Sequence, residues 1–139
     1  MVNNLVLRPY LPDDERRVLD LWADCGLTVP SNDPGEDIRR KLAHSPELFF
    51  VAEREGRVVG TCMAGYDGHR GWVYYLGVEP GLQRRGIAAR MMRHAEAALK
   101  AAGCPKIDLM VRESNGAAMD FYRRIGYRDD PVVVMSKRL

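Results

Sequence analysis

A short basic segment, QRRGIA at residues 83–88, joins two stretches of very different character. The apolar run WVYYLGV precedes it, and after it apolar residues recur at helical spacing. The first backbone N–H groups of a helix have no partner inside the helix and lie at the positive end of its dipole. Gly86 would leave that backbone open, while Arg84 and Arg85 would add positive charge. The segment therefore predicts a site for an anion such as a pyrophosphate.

Two familiar phosphate-binding patterns are missing from the chain. It contains neither GxxxxGK(S/T), which excludes a P-loop, nor GxGxxG. On its own, the basic segment is equally compatible with a solvated loop that only connects a strand to a helix. The rest of the chain must decide between these two interpretations.

The bulk composition is that of an ordinary globular domain. The 139 residues are 46% hydrophobic and 29% charged, which suits one domain over residues 1–139 with a substantial core. A net charge of +2 is too small to favour a nucleic-acid partner. No apolar run approaches the roughly 20 residues of a membrane helix, and no signal-peptide pattern is evident. We therefore expect a cytoplasmic protein without a membrane partner.

The cysteines argue against metal chemistry. Cys25, Cys62 and Cys104 are widely spaced and form neither a CxxC pair nor a His/Cys cluster of the kind that zinc needs. We expect reduced thiols and no metal site.

Hydrophobic periodicity predicts a mixed α/β chain. NLVLRPY has the alternation of a strand, and residues 13–24 have the spacing of a helix. Asp33, Pro34 and Glu36 are typical of the start of a second helix. The glycine turns EG and DGHRG separate three strand-like runs, which predicts an antiparallel meander of ELFFVAER, RVVGTCMAGY and WVYYLGV.

The second half of the chain continues this alternation. Residues 86–102 have helical spacing, and KIDLMV is a short run of branched apolar residues typical of a strand. Ser114 or Asn115 would cap a further helix that Gly126 ends. The run VVVMS predicts a final strand.

Two segments together resemble the GNAT superfamily, the GCN5-related N-acetyltransferases. LGVEPGLQRRGIAARMM is similar to motif A of that family, an apolar strand and a turn followed by (Q/R)xxGx(G/A) at the start of a helix. VRESNGAAMDFYRRIGY is similar to motif B. The residues matching motif A are Gln83, Arg84, Arg85, Gly86, Ile87 and Ala88, and those matching motif B are Asn115, Ala118, Tyr122 and Gly126. NDP, GYDGHRG, YYLGV and GCPKI carry a narrower resemblance to small bacterial YpeA-like acetyltransferases.

The resemblance implies a fold and a co-substrate. The fold is an α/β (mixed α+β) one, with a central, mostly antiparallel mixed sheet flanked by helices and with splayed central strands. The co-substrate is acetyl-CoA. Its pantetheine arm would pair with the backbone of Leu76, Gly77 and Val78, where Gly77 permits a bulge or a close approach. The N–H groups of residues 84–88 would hold its pyrophosphate. Asn115 would reach the cofactor, cap its own helix, or do both.

The resemblance also implies an acid, but it leaves the base open. Tyr122 would contact the cofactor and protonate the leaving thiolate; the alternative is an ordinary core aromatic. Related enzymes carry a glutamate at two positions. One of them is Met110 in this chain, and the other lies near the start of the strand that begins with Trp72; both are apolar here. Glu79 is a candidate base, alongside the other polar residues Glu113, Asp67 and His69.

The predicted activity is transfer of an acetyl group from acetyl-CoA to a primary amine, by direct attack in a ternary complex. The amine would belong to a small molecule or to a protein. Residues expected to contact it are Trp22, Asn32, His69 and Trp72. The alternative is an acetyl-CoA-binding sensor or assembly module with little turnover. Because dimers are common among the relatives, a homodimer is a further expectation.

Overall fold

The computed structural model describes residues 3–139, which form two compact units, one ending at Leu109 and the other beginning at Met110. The first unit contains β1 (Leu5–Pro9), α1 (Glu15–Asp24), α2 (Pro34–Leu42), β2 (Phe49–Arg54), β3 (Arg57–Tyr66), β4 (Gly71–Val78), α3 (Ile87–Ala101) and β5 (Ile107–Leu109). The second unit contains α4 (Gly116–Arg124). From β1 to α4, the elements follow the predicted order.

The five strands form one sheet in the order β1-β2-β3-β4-β5. The pairs from β1 to β4 are antiparallel, and β4 pairs with β5 in parallel. Glu55 and Gly56 connect β2 to β3 with φ angles of 52° and 78°, as in the tight turns that match the twist of a hairpin. The predicted meander and the mostly antiparallel mixed sheet are confirmed.

The last two strands of the sheet separate after a short stretch of pairing. β4 pairs with β5 from Gly71, opposite Ile107, to Val73, opposite Leu109. β4 continues to Val78, so its second half lies beyond the last paired residue of β5. This pairing pattern agrees with the splay that the family resemblance implies. Within the five-stranded sheet it leaves one edge of the second half of β4 without a neighbouring strand.

Helices cover both faces of this sheet. Val18, Leu21 and Trp22 of α1 and Ile38 of α2 are buried in one cluster with Phe49 and Met63 of the strands. The apolar face of α3 is also buried, through Ile87, Met91, Met92, Ala95 and Leu99. Gly60 of β3 makes room for α3, because a Cβ at this position would lie only 2.8 Å from the sulfur of Met91.

The predicted last strand is wrong. Residues 132–136 form no strand, and Val132, Val133, Val134 and Met135 are 61–90% exposed. The Val132 N–H donates to the carbonyl of Asp130 at 2.9 Å, so the run begins in a local turn. Branched apolar residues favour a strand only when a neighbouring strand pairs with them.

Candidate functional site

A β-bulge interrupts β4 where it leaves β5. Thr61 of β3 lies opposite Gly77, and Met63 lies opposite Tyr74, so the single residue Cys62 faces both Tyr75 and Leu76. Tyr75 has a φ of 53°, in the left-handed region that residues other than glycine seldom adopt. A bulge of this kind bends the strand and redirects its backbone.

Gly77 is therefore not the bulge residue. A Cβ at Gly77 would lie 2.8 Å from Leu27 Cδ1 and 3.4 Å from Cys25 Sγ. The structure packs Gly77 closely against the segment that follows α1, and the predicted close approach of the pantetheine arm stays a prediction.

Buried polar contacts hold the bulge in place. The Thr61 hydroxyl, fully buried, accepts a hydrogen bond from Trp22 Nε1 at 2.9 Å and donates one to the carbonyl of Tyr75 at 2.8 Å. The Tyr75 ring stacks on Trp22 with centroids 3.8 Å apart, and its hydroxyl donates to Asp37 Oδ2 at 2.6 Å. Burial and the Asp37 carboxylate raise the pKa of Tyr75. Because several contacts fix Tyr75, its unusual backbone conformation can persist.

Replacing Thr61 with valine tests this network. Thr61→Val keeps the shape but leaves the Trp22 N–H and the Tyr75 carbonyl without their partner. Each unsatisfied buried group costs about 1–3 kcal/mol, so we expect the free energy of unfolding to fall by roughly 2–6 kcal/mol. Urea denaturation measures it. Thr61→Ser, which keeps the hydroxyl, should lose less than half as much; an equal loss would contradict the hydrogen-bond account.

The same network removes Trp22 from the predicted acceptor contacts. Its side chain is fully buried, stacked against Tyr75 and Phe49. Its only donor is used by Thr61. Trp22 therefore positions the bulge and has no surface left to offer a substrate.

The loop after β4 contains two residues with a left-handed backbone conformation. A 3₁₀ turn at Pro80–Leu82 follows the strand, and Gln83 Nε2 donates back to the carbonyl of Val78 at 3.0 Å. Arg84 has a φ of 63° and Gly86 a φ of 83°. A Cβ at Gly86 would meet nothing within 4 Å, so the backbone conformation, and not crowding, favours glycine there.

This loop leaves the N-terminus of α3 without a side-chain cap. By contrast, Asp33 Oδ1 accepts from the N–H of Glu36 in α2, as predicted for this cap. Within residues 3–139, the N–H groups of Arg84, Arg85 and Gly86 donate no hydrogen bond. The arginines are exposed, and buried Ile87 anchors the first turn next to half-buried Ala88. Successive N–H groups at the start of a 15-residue helix suit an anion.

Glu79 lies between β4 and this loop, where two guanidinium groups hold it. Its Oε1 is 2.7 Å from Arg17 Nη2 of α1 and also pairs with Arg57 of β3. The side chain is 18% exposed. Arg17 in addition donates to the carbonyl of Val58 at 2.9 Å. These contacts give Glu79 a structural function, fixing the end of β4; its use as the base stays a prediction.

Replacing Glu79 with glutamine distinguishes the two functions. If the carboxylate serves the ion pairs, Glu79→Gln should lower the free energy of unfolding by about 1–2 kcal/mol, between the values for exposed and buried pairs. The pH dependence of kcat/KM should keep its shape. Loss of the acidic limb of that profile, with unchanged stability, would instead identify Glu79 as the base.

The remaining predicted acceptor residues lie on different elements of the first unit. Trp72, half-buried on β4, stacks on Tyr74 with centroids 6.5 Å apart. His69 is exposed in the β3–β4 turn, where Asp67 Oδ1 accepts from the N–H groups of His69 and Arg70, each at 2.8 Å. The N–H groups of Arg70 and His69 lower the pKa of Asp67. Asn32 is exposed before α2.

The second unit carries the residues of the second motif. Asn115 Oδ1 accepts from the N–H of Ala118 at 3.1 Å, so Asn115 caps α4. The Tyr122 ring contacts Phe121 and Tyr127 edge to face, at centroid distances of 5.2 and 5.8 Å. Gly126, with a φ of 105°, follows the helix end as predicted. Glu113 is exposed.

The cysteines are free thiols, and burial raises the pKa of Cys62 to about 12. In the part of the chain that the structure describes, residues 3–139, no three His, Cys, Asp or Glu side chains lie close enough to bind a metal ion. None of the helices in this part has both the length and the apolar character needed to cross a membrane.

The polar residues that organise the α2 side of β4 could not be identified from the sequence. Thr61, Tyr75 and Asp37 form one hydrogen-bonded chain, and Lys41 lies one helical turn from Asp37. Only the spacing of Asp37 and Lys41 on one helix face was visible in the sequence.

Comparison with known proteins assigns the family. The chain matches the model of the acetyltransferase (GNAT) family over residues 14–127. An acetyltransferase of Sodalis glossinidius is 50% identical over 134 residues, which cover 96% of this chain and 94% of that protein. The chain therefore belongs to the acetyltransferase (GNAT) family, and the predicted enzyme class, an N-acetyltransferase, is confirmed. The narrower YpeA-like resemblance stays a prediction.

Solved structures confirm the predicted fold. The aminoglycoside N-acetyltransferase AAC(6')-Iy in complex with CoA matches with a TM-score of 0.81 and 14% identity, over 99% of both chains. Naa20 of Chaetomium thermophilum, in complex with a bisubstrate analogue, matches with a TM-score of 0.71 and 28% identity, over 88% of this chain and 70% of that one.

Proposed function

We propose that the protein transfers the acetyl group of acetyl-CoA to a primary amine by direct attack within a ternary complex. One observation supports this most strongly. The uncapped N-terminus of α3 follows directly on the open half of β4, so an anion site and a free strand edge are adjacent in one chain segment. Acetyl-CoA needs both, since it joins a pyrophosphate to an extended, amide-containing arm.

The pyrophosphate and the pantetheine arm of the co-substrate each have a matching part of this segment. The N–H groups of residues 84–88 bind the pyrophosphate, assisted by Arg84 and Arg85. Gln83 fixes the loop by bonding to Val78. The pantetheine amides pair with the backbone of Leu76, Gly77 and Val78, like an added strand. The Val78 carbonyl already accepts from Gln83 Nε2 and Cys25 Sγ, which fixes this end of the strand. Asn115 supplies a further contact from α4.

The chemistry then needs one attack and two proton movements. The lone pair of the neutral amine attacks the thioester carbonyl carbon, a C–N bond forms, and the C–S bond breaks. Tyr122 donates its phenolic proton to the departing thiolate. The proton lost by the amine passes through water, with Glu79 as the candidate base, and restores the Tyr122 hydroxyl.

A thiol-release assay tests this function. Wild-type protein is mixed with acetyl-CoA and a panel of amino acids, peptides, polyamines and aminoglycosides. We expect free thiol and acetylated amine in equal amounts with at least one amine, and only background without amine. If acetyl-CoA binds but no amine is acetylated, the protein is a binding module and the proposed enzyme function fails.

A further inference from the structure

Two opposite charges project from one side of α2 towards the sheet. Asp37 and Lys41 are four residues apart, which places their Cβ atoms about 5–6 Å from each other. Asp37 accepts from the Tyr75 hydroxyl at the bulge. Its other oxygen pairs with Arg40, whose side chain is 66% exposed, and such exposed pairs contribute little free energy.

Lys41 is the less usual of the two. Its side chain is half-buried over β3, and a Cβ at Gly65 would lie 3.6 Å from its Nζ. Within residues 3–139 the ammonium has no ion pair within 4.0 Å and no hydrogen bond; Glu47 attracts it only from farther away. Burial lowers the pKa of Lys41, against this attraction. A half-buried cation without a counter-ion is costly, and a carboxylate brought by a ligand would relieve that cost.

The surface beside Lys41 is aromatic. Gly65 lies opposite Trp72 in the β3–β4 register, so both positions face the same side of the sheet. Tyr74, 43% exposed, stacks on Trp72 from the same side. Because Gly65 has no side chain, the Lys41 ammonium can lie close over β3, on the same side of the sheet as these rings.

We infer that Asp37, Lys41, Trp72, Tyr74 and Tyr75 form the acceptor subsite and select an amino acid, whose amino group donates a hydrogen bond to Asp37 and whose carboxylate meets Lys41. This inference rests on the proposed function and specifies its substrate class. The orientation follows from the splay. Asp37 contacts the bulge at Tyr75, beyond the last β4–β5 pair, whereas Lys41 lies over the level of Trp72, where the two strands are still paired. The amine end therefore points to the open half of β4.

The test compares amines that differ only in the carboxylate: lysine, lysine amide and the diamine formally derived from lysine by loss of its carboxylate. Acetylation kinetics should give a KM for lysine at least about 10-fold below those of the other two, as one charge-assisted contact would produce. Lys41→Met should raise the KM for lysine about 10-fold and change that for the diamine less than threefold. Lys41→Glu should reverse the preference. Lys41→Arg should retain it, and Lys100→Met, at an exposed position on α3, should behave as wild type.

Calorimetric titration of the three amines into the CoA-saturated protein separates this inference from the proposed function. Carboxylate-dependent binding that disappears in Lys41→Met, without thiol release, would leave the subsite standing and overturn the enzyme function. Acetylation of all three amines with equal KM would overturn the subsite and leave the enzyme function standing. Absence of both binding and turnover would overturn both.

Discussion

Replacing Gly86 with valine should weaken acetyl-CoA binding by at least about 100-fold, because two or more charge-assisted hydrogen bonds of about 1.5–3 kcal/mol each depend on this loop. Gly86 has a φ of 83°, which a β-branched residue strongly resists. The substitution would shift the loop and turn its N–H groups away from the pyrophosphate. Isothermal titration with acetyl-CoA measures the loss.

Gly103→Val provides a matched control at the other end of the same helix. Gly103 has a φ of 94°, and a Cβ at this position, as at Gly86, would meet nothing within 4 Å, so the backbone strain is comparable. Both variants should lose about 1–2 kcal/mol of unfolding free energy. Only Gly86→Val should lose acetyl-CoA. Similar acetyl-CoA dissociation constants for the two variants would contradict the proposal that the pyrophosphate binds at the N-terminus of α3.

Replacing Tyr122 with phenylalanine should lower kcat by about 10²–10⁴-fold, the usual contribution of a positioned general acid. The dissociation constant of acetyl-CoA should change less than about threefold, since the ring remains and one hydroxyl makes a small contribution to binding. Pre-steady-state measurement of thiol release isolates the chemical step.

Tyr127→Phe is the control for this second substitution. Tyr127 contacts the Tyr122 ring within the same unit, so its loss of a hydroxyl reproduces any local disturbance without removing the acid. It should keep wild-type kcat. An unchanged kcat in Tyr122→Phe, or equal losses in both variants, would show that Tyr122 serves packing only.

The elements that could be predicted from the sequence are those specified by local pattern. Ile87, Met91, Ala95 and Leu99 stack at helical spacing, and all four are buried in α3. Asp33 caps α2 as its position before Pro34 indicates. The basic loop and the splay followed from the motif and the resemblance. The helix face and the cap depend on residues close in sequence, and the loop and the splay are features that the family resemblance implies.

The features that escaped prediction depend on contacts distant in sequence. The bulge at Tyr75 is held by Thr61 from β3 and by Trp22 from α1, and no local pattern encodes that meeting. The local pattern around Trp22 therefore predicts an acceptor contact, whereas its distant partners bury the ring. The sequence around Glu79, which lies at a strand end, gives no sign of its ion-pair partners Arg17 and Arg57.

The prediction of a last strand is wrong for a related reason. Composition made Val132 to Met135 resemble a strand, but pairing decides whether a strand forms, and the Val132 N–H bonds locally instead.

A crystal structure of the protein with acetyl-CoA tests the central claim most directly. We expect pyrophosphate oxygens within about 3.2 Å of the N–H groups of residues 84–88, and pantetheine amides bonded to the backbone of Leu76 to Val78. The acetyl group should lie beside the bulge at Tyr75. Acetyl-CoA bound elsewhere on the chain, or bound with its pyrophosphate away from the N-terminus of α3, would contradict the account.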